Sequence, residues 1–233
     1  MFEQSGTFKN AFRNLGIAAY DFDIENTCQQ TDFVVDLFQE IEKCYSNQIS
    51  IFDNFKTNSI VMAFFPCIYF EGQQAMYYSL DTFNLRGFLH EKIDKVIERI
   101  KKREYYFTIL YKLIAICDKK HIGLIIENPA TPPSYLLYQQ NFIKPTFIDY
   151  NRRLSGDYFK KPTAYWFFGV KKTHCQTFDK NKLHLTVNDL PSSGKAGNCS
   201  LPRSIISPEY AHNFICDHLL GFNPKLPQQQ NLF

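Results

Sequence analysis

The chain has 233 residues, a net charge of +3, 45% apolar residues, 21% charged residues and 16% aromatics. That balance belongs to a folded chain of one or two domains, long enough to bury a core without disulfide or metal staples. It excludes a disordered tail, a collagen-like repeat and a coiled coil as the overall class, and the charge is too small to argue for nucleic acid by itself.

Residues 7–15 predict a helix with Phe8, Ala11, Phe12 and Leu15 on one face, stopped by Gly16. A strand is expected over 17–22, ending in Asp23, and a second over 33–37. Residues 59–65 predict a buried strand running into Pro66-Cys67. Helix is expected from about Asn84 to Lys120, as two helices or one kinked one. Residues 122–126 predict another buried strand, followed by Glu127-Asn128-Pro129, and two more strands fall at 145–149 and 163–170. Residues 173–202 are polar and read as a loop. A last helix is expected from Pro208 to Leu220, with Ser207 as N-cap and Pro at its first position, before a frayed tail over 223–233.

No run of 18 apolar residues occurs, so no transmembrane helix is expected. The N-terminus lacks a basic region followed by an apolar stretch, so no signal peptide is expected either. The seven cysteines are widely spread with no C-x-x-C pair, which argues against a disulfide framework or a zinc site and for reduced thiols in a cytosolic protein.

Strands alternating with helices predict an α/β fold with a doubly wound, parallel sheet, in which ligands sit beyond the strands' C-terminal ends. Asp23, Asp36, Pro66-Cys67 and Glu127-Asn128 all fall at such ends. The turn Ser5-Gly6-Thr7 before the first helix is suited to presenting backbone N–H groups to an anion, or simply to capping the helix. Asp23 has the chemistry to accept hydrogen bonds from ribose hydroxyls, and Asp36 is either similar or a helix cap. Cys67 with Glu127 suits covalent attack on an electron-poor heterocycle: the thiolate adds while the acid protonates a ring nitrogen. Arg152 and Arg153 suit an exocyclic oxygen or a phosphate. Residues 151–172 gather Arg152, Arg153, Lys160, Lys161, Lys171 and Lys172, a phosphate-binding candidate.

Ser-Gly-Thr-Phe, the Asp23 strand, Phe-Phe-Pro-Cys, Ile-Glu-Asn-Pro and Asn-Arg-Arg occur in this order, followed by a Gly156-Asp-Tyr-Phe run and by Arg203-Ser-Ile-Ile-Ser-Pro-Glu-Tyr-Ala. The set resembles the DNA cytosine-5 methyltransferases, and within them a small phage and bacterial branch with Phe-Pro-Cys and Glu-Asn-Pro signatures. The resemblance covers most of residues 2–221. It implies a Rossmann-like S-adenosylmethionine-dependent methyltransferase fold, with a mostly parallel sheet and helices on both faces. It implies one such domain over residues 1–222, in which about 171–202 leave room for only a minimal target-recognition region. S-adenosyl-L-methionine would then lie over Ser5, Gly6, Thr7 and Phe8, with Asp23 on its ribose, Asp36-Leu37 near its adenine, and Pro66 among its contacts. Cys67 would attack C6 of a flipped cytosine, Glu127 would protonate N3, and Arg152 or Arg153 would contact O2. The implied partners are DNA and a specificity protein, with no membrane and no metal, in a bacterial or phage-encoded cytoplasmic setting.

The chain departs from the family's usual pattern in three places. Ile68 follows Pro66-Cys67 where Gln is usual, Pro129 follows Glu127-Asn128 where Val is usual, and the Gly-rich loop is reduced to Ser5-Gly6-Thr7. These departures, with the nearly missing first strand, motivate one alternative, a methyltransferase-like binding or regulatory protein with impaired catalysis; another is an amino-methyltransferase acting on a base or small molecule, with Phe65-Pro66 gripping the target. The aromatics Tyr69, Phe70, Tyr77, Tyr78 and Phe83 would either cover a flipped base or pack against the helix of residues 88–103. Trp166 reads as core, and His174 with Cys175 as a surface pair.

Overall fold

A computed structural model describes residues 1–70, 78–80, 87–130, 142–177 and 205–224. The chain forms two compact units, each drawn from separate stretches. The first comprises Met1–Phe2, Val35–Ile148 and Thr163–Val170, and the second Glu3–Val34, Asp149–Pro162 and Lys171–Phe233.

The first unit is built on a sheet of β3 (Ile60–Phe64), β4 (Gly123–Pro129), β5 (Phe147–Asp149, its last residue opening the second unit) and β6 (Thr163–Phe168), in the order β3-β4-β6-β5. β3 and β4 run parallel, with Ile60 opposite Gly123 and Phe64 opposite Glu127. β6 runs antiparallel to β4, with Leu124 opposite Phe168 and Pro129 opposite Thr163. The sheet is therefore mixed, which corrects the expectation of a mostly parallel one. The residues of β6 are Thr-Ala-Tyr-Trp-Phe-Phe, of which the first four are buried, so the strand reads as a run covered on both faces. A buried apolar run carries no mark of strand direction, and this one lies antiparallel to β4. Met1 adds to the free side of β3: its ammonium donates to the Met62 carbonyl at 2.8 Å, and Phe64 N–H donates to the Met1 carbonyl at 3.1 Å.

Gly123 begins β4 because nothing larger fits. A Cβ there would stand 2.3 Å from the Val170 Cγ2 atom.

Among its described residues this unit carries the α-helices α2 (Leu37–Tyr45) and α3 (Leu89–Lys119). Asp36 caps α2, accepting from Phe38 N–H at 3.0 Å and Gln39 N–H at 3.2 Å. The expected strand over 33–37 is therefore cut short, since Leu37 already belongs to a helix. α3 is one continuous helix rather than two, because no Gly or Pro interrupts residues 88–119. Its Tyr106 and Phe107 join an aromatic cluster. Phe38 lies 4.8 Å from Tyr106 and 5.8 Å from Phe65, and Phe70 lies 4.7 Å from Phe107, ring centre to ring centre. The Phe38–Tyr106 and Phe70–Phe107 pairs are edge-to-face and the Phe38–Phe65 pair stacked; such pairs each add about 0.5–1.5 kcal/mol beyond their buried area. Much of the aromatic excess is thus core. Trp166 is buried too, and its indole N–H donates to the Ile143 carbonyl at 2.7 Å.

The second unit contains α1 (Thr7–Asn14), β1 (Phe22–Asp23), β2 (Phe33–Val34) and α4 (Pro208–Ile215). β1 and β2 form a short parallel pair, so the strand expected over 17–22 shrinks to its last residue plus Asp23. α1 packs on α4 with Phe8 edge-on to Phe214, ring centres 5.6 Å apart. Ser207 caps α4 as its sequence predicts, accepting from Tyr210 N–H at 2.9 Å. The helix then passes into a π-helical turn over Cys216–Leu220 and ends at Gly221.

Candidate functional site

In the first unit, the parallel pairing of β3 with β4 sets the Pro66-Cys67 segment and Glu127 at the same end of two neighbouring strands. Phe64, the last residue of β3, is opposite Glu127, and Pro66 and Cys67 follow directly. Glu127 is buried and lies inside β4, which extends to Pro129, rather than after it. Both sides of Cys67 are tied down. On one side the wholly buried Asn128 donates from Nδ2 to the Phe65 carbonyl at 3.0 Å. On the other, Phe70 N–H donates to the Cys67 carbonyl at 2.7 Å, and the Phe70 ring is itself fully buried. Cys67 is half-buried between these anchors.

Among the other described thiols, Cys28 is exposed and Cys44 half-buried like Cys67. Burial pushes Cys117 up to about 12, so it stays protonated at neutral pH. Burial, with a hydrogen bond given to Asp217 at 3.0 Å, also raises Cys175. Cys216 is fully buried. The Cys175 bond to Asp217 shows that this residue is a structural contact, not the surface group expected.

Asn128→Ala removes the tie to the Phe65 carbonyl and leaves that acceptor behind in a buried position. Urea unfolding is expected to show a loss of about 1–3 kcal/mol.

In the second unit, Gly6 adopts a left-handed φ of 64° just ahead of α1. The N–H groups there do not face outward to an anion. Glu3 accepts from Thr7 N–H at 2.8 Å and from Phe8 N–H at 3.4 Å, and the Ser5 hydroxyl donates to it at 2.7 Å. The chain's own carboxylate thus holds the position that the sequence suggested for a ligand anion. The residues around it are acidic as well. Asp23, at the end of β1, is buried, its carboxyl raised by that burial, and its Oδ1 accepts from Glu25 N–H at 2.9 Å. Asp21 is raised further, to about 6, by burial and by the nearby Glu3 charge, against a lowering influence from Lys9. Lys9 pairs with Asp32 at 3.4 Å, and Asp32 also accepts from Asp21 N–H at 2.9 Å.

Asp21 makes a pH prediction. Its folded carboxyl binds a proton more tightly than the unfolded one, so the folded state holds more protons between about pH 4 and pH 6. Stability is therefore expected to fall as pH rises through that window. Asp21→Asn removes this slope, and the difference between the two urea-unfolding profiles against pH isolates it.

The two arginines have separate fates. Arg152 is fully buried, paired with Asp157 at 2.5 Å, and its guanidinium lies 4.5 Å over the Tyr210 ring. That places it in the interior of the second unit, not on a phosphate-facing surface. Arg153, in the same 3-10 turn (Arg152–Ser155), is half-buried. Lys160 and Lys171 are exposed, and Lys161 and Lys172 half-exposed.

The candidate residues therefore divide between the units. Asp36, Leu37, Pro66, Cys67 and Glu127 belong to the first, where Leu37 is buried and Asp36 serves as a cap. Ser5, Gly6, Thr7, Phe8, Asp23, both arginines and the four lysines belong to the second. Of the aromatics after Cys67, Tyr69 meets Tyr106 at 4.8 Å and the Tyr78 ring lies under Arg103 at 4.5 Å, so both contact α3 as Phe70 does. Tyr77, Phe83, Arg203, residues 178–204 and the tail from 225 lie outside the described residues. The sequence did not reveal Glu3, because its spacing to the helix it caps matches no common capping pattern. Nor did it reveal Asp157 as the partner of Arg152.

Among the described residues no group of His, Cys, Asp and Glu is arranged to hold a metal ion, and no helix is long and apolar enough to cross a membrane. No family model matches the chain, and neither a curated protein nor a solved structure matches it.

Proposed function

We propose that the chain is an S-adenosylmethionine-dependent DNA methyltransferase that modifies C5 of cytosine through a Cys67 adduct, on a Rossmann-like fold. The observation that carries this reading is the β3–β4 pairing, which sets the Pro66-Cys67 loop and the buried Glu127 at one edge of the same two strands. An antiparallel strand set into an otherwise parallel sheet is common among doubly wound folds, so the mixed order is compatible with it.

The second unit fits part of the cofactor. Asp23, at a strand end, would hold ribose hydroxyls, and the acidic surroundings of Glu3 and Asp21 favour the cofactor's cationic groups over its carboxylate. When bound, S-adenosylmethionine supplies an electrophilic methyl group. Cys67 adds to C6 of cytosine as a thiolate and raises electron density at C5. Glu127 donates a proton to N3, which spreads the charge of the adduct. C5 would then take the methyl group from the sulfonium, with S-adenosylhomocysteine leaving, and a base would remove the C5 proton as the C6–S bond breaks and the Cys67 thiolate departs. Arg153, not the interior Arg152, would hold O2, and the exposed lysines would contact the DNA backbone. Cytosine has to leave the duplex to reach Cys67. With about residues 171–202 as the recognition region, specificity would come from a partner protein or from loose selection.

A second reading, a methyltransferase-like binding protein without catalysis, is favoured by the Glu3 carboxylate on the α1 N–H groups. Digestion of methylated DNA to nucleosides, followed by mass spectrometry, separates the readings. 5-Methylcytosine is expected. N4-methylcytosine or N6-methyladenine would indicate an amino-methyltransferase, and no modified base at all would favour the binding protein.

A further inference from the structure

α3 carries apolar residues on two different faces. In its C-terminal half Ile109, Leu110, Leu113, Ile116 and Cys117 are buried in the first unit. In its N-terminal half Leu89, Ile93, Val96, Ile97 and Ile100 form another stripe, roughly 140° round the helix from the first at 100° per residue. The face that continues the buried one carries Glu91, Lys95, Glu98 and Lys102 instead. No residue between Leu89 and Thr108 is buried, and Leu89, Ile97 and Ile93 are 64%, 43% and 38% exposed. The stripe therefore does not belong to the core that the rest of the helix builds.

We propose that this stripe is the seam of a parallel α3–α3 pairing between two copies of the chain. Leu89, Ile93, Val96 and Ile100 are spaced four, three and four residues apart, the a and d positions of a heptad. Ile93 and Ile100 fall at a and Leu89 and Val96 at d, with Arg103 at the next d ending the apolar seam; Ile at a beside Leu at d, as Leu89 and Ile93 stand, favours two parallel strands. The flanking charges choose the same arrangement. Lys92 and Arg99 fall at g, and Ile97 and Glu104 at e. A parallel pair sets Arg99 opposite Glu104 of the second copy, twice by symmetry. An antiparallel pair sets g against g, basic on basic. Covering these side chains on two helices removes on the order of 1,000 Å² from water, the lower bound of a specific interface. Composition excluded a coiled coil as the fold of the whole chain, and this pattern is confined to one helix half.

Sedimentation of the full chain between roughly 1 and 100 µM tests this, with reversible dimerisation expected at a Kd on the order of micromolar. Ile93 and Glu104 are exposed and Ile100 and Arg99 half-exposed, and circular dichroism checks that each variant keeps the fold. Ile93→Asp with Ile100→Asp is expected to give a monomer at every concentration. Arg99→Glu or Glu104→Arg alone is expected to weaken the dimer about fivefold or more, and the two together to restore it. A monomer throughout overturns the proposal. So does a dimer indifferent to the Ile93 and Ile100 changes, or charge variants that show no mutual rescue.

Discussion

Cys67→Ala is expected to lower methyl transfer to cytosine by about 10⁴-fold or more, while leaving the fold intact. The side chain is half-buried on a loop whose anchors are other residues, Asn128 and Phe70. Truncation therefore removes the proposed nucleophile without opening the core. Glu127→Gln keeps the shape of the buried side chain and removes its proton, and a loss of about 10²–10⁴ is expected. Labelled-methyl incorporation into DNA under single-turnover conditions measures both. A Cys67→Ala variant as fast as the parent would mean that the Cys67 thiol forms no bond to the base.

The second large effect is on stability. Arg152 and Asp157 are each only 1% exposed at the side chain and lie 2.5 Å apart. Asp157 also accepts from Ser207 N–H and Tyr158 N–H, each at 2.9 Å, so it joins the 3-10 turn to the start of α4. Asp157→Ala leaves the Arg152 charge in the interior without that carboxylate. Urea unfolding is expected to show a loss of about 3–5 kcal/mol. Replacing both residues by apolar ones of similar volume, Arg152→Met with Asp157→Leu, is expected to recover much of that loss, because no lone charge stays buried. If Asp157→Ala unfolds at the same urea concentration as the parent, the ion pair contributes nothing.

This network marks where the sequence could be read and where it could not. β3, β4 and β6, the cap at Ser207 and the helix after Gly6 were legible, because buried apolar runs and capping chemistry are local signals. So was the adjacency of the strand before Pro66-Cys67 to the strand that holds Glu127, since the two run parallel as neighbours. Strand direction was not legible: the first four residues of β6 are buried, which removes the alternation that marks a half-exposed antiparallel strand. The helix over Leu37–Tyr45 was hidden behind an apolar start that also fits a strand. Long-range pairings were hidden altogether. Nothing in Asn-Arg-Arg distinguishes the interior Arg152 from its neighbour Arg153, and only the fold brings Asp157 and Tyr210 to the former. The same holds for Glu3, whose carboxylate takes the helix N–H groups that the Ser5-Gly6-Thr7 turn seemed to offer a ligand.

The covalent route through Cys67 is tested most directly by trapping it. DNA of mixed sequence with 5-fluorocytosine in place of cytosine is incubated with the protein and S-adenosylmethionine, then digested, and the protein is mapped by mass spectrometry. The fluorine blocks release of the adduct, so one nucleotide carrying an added methyl group is expected on the peptide containing Cys67. Methyl transfer to cytosine in ordinary DNA with no adduct on Cys67 in the fluorinated DNA would contradict the mechanism.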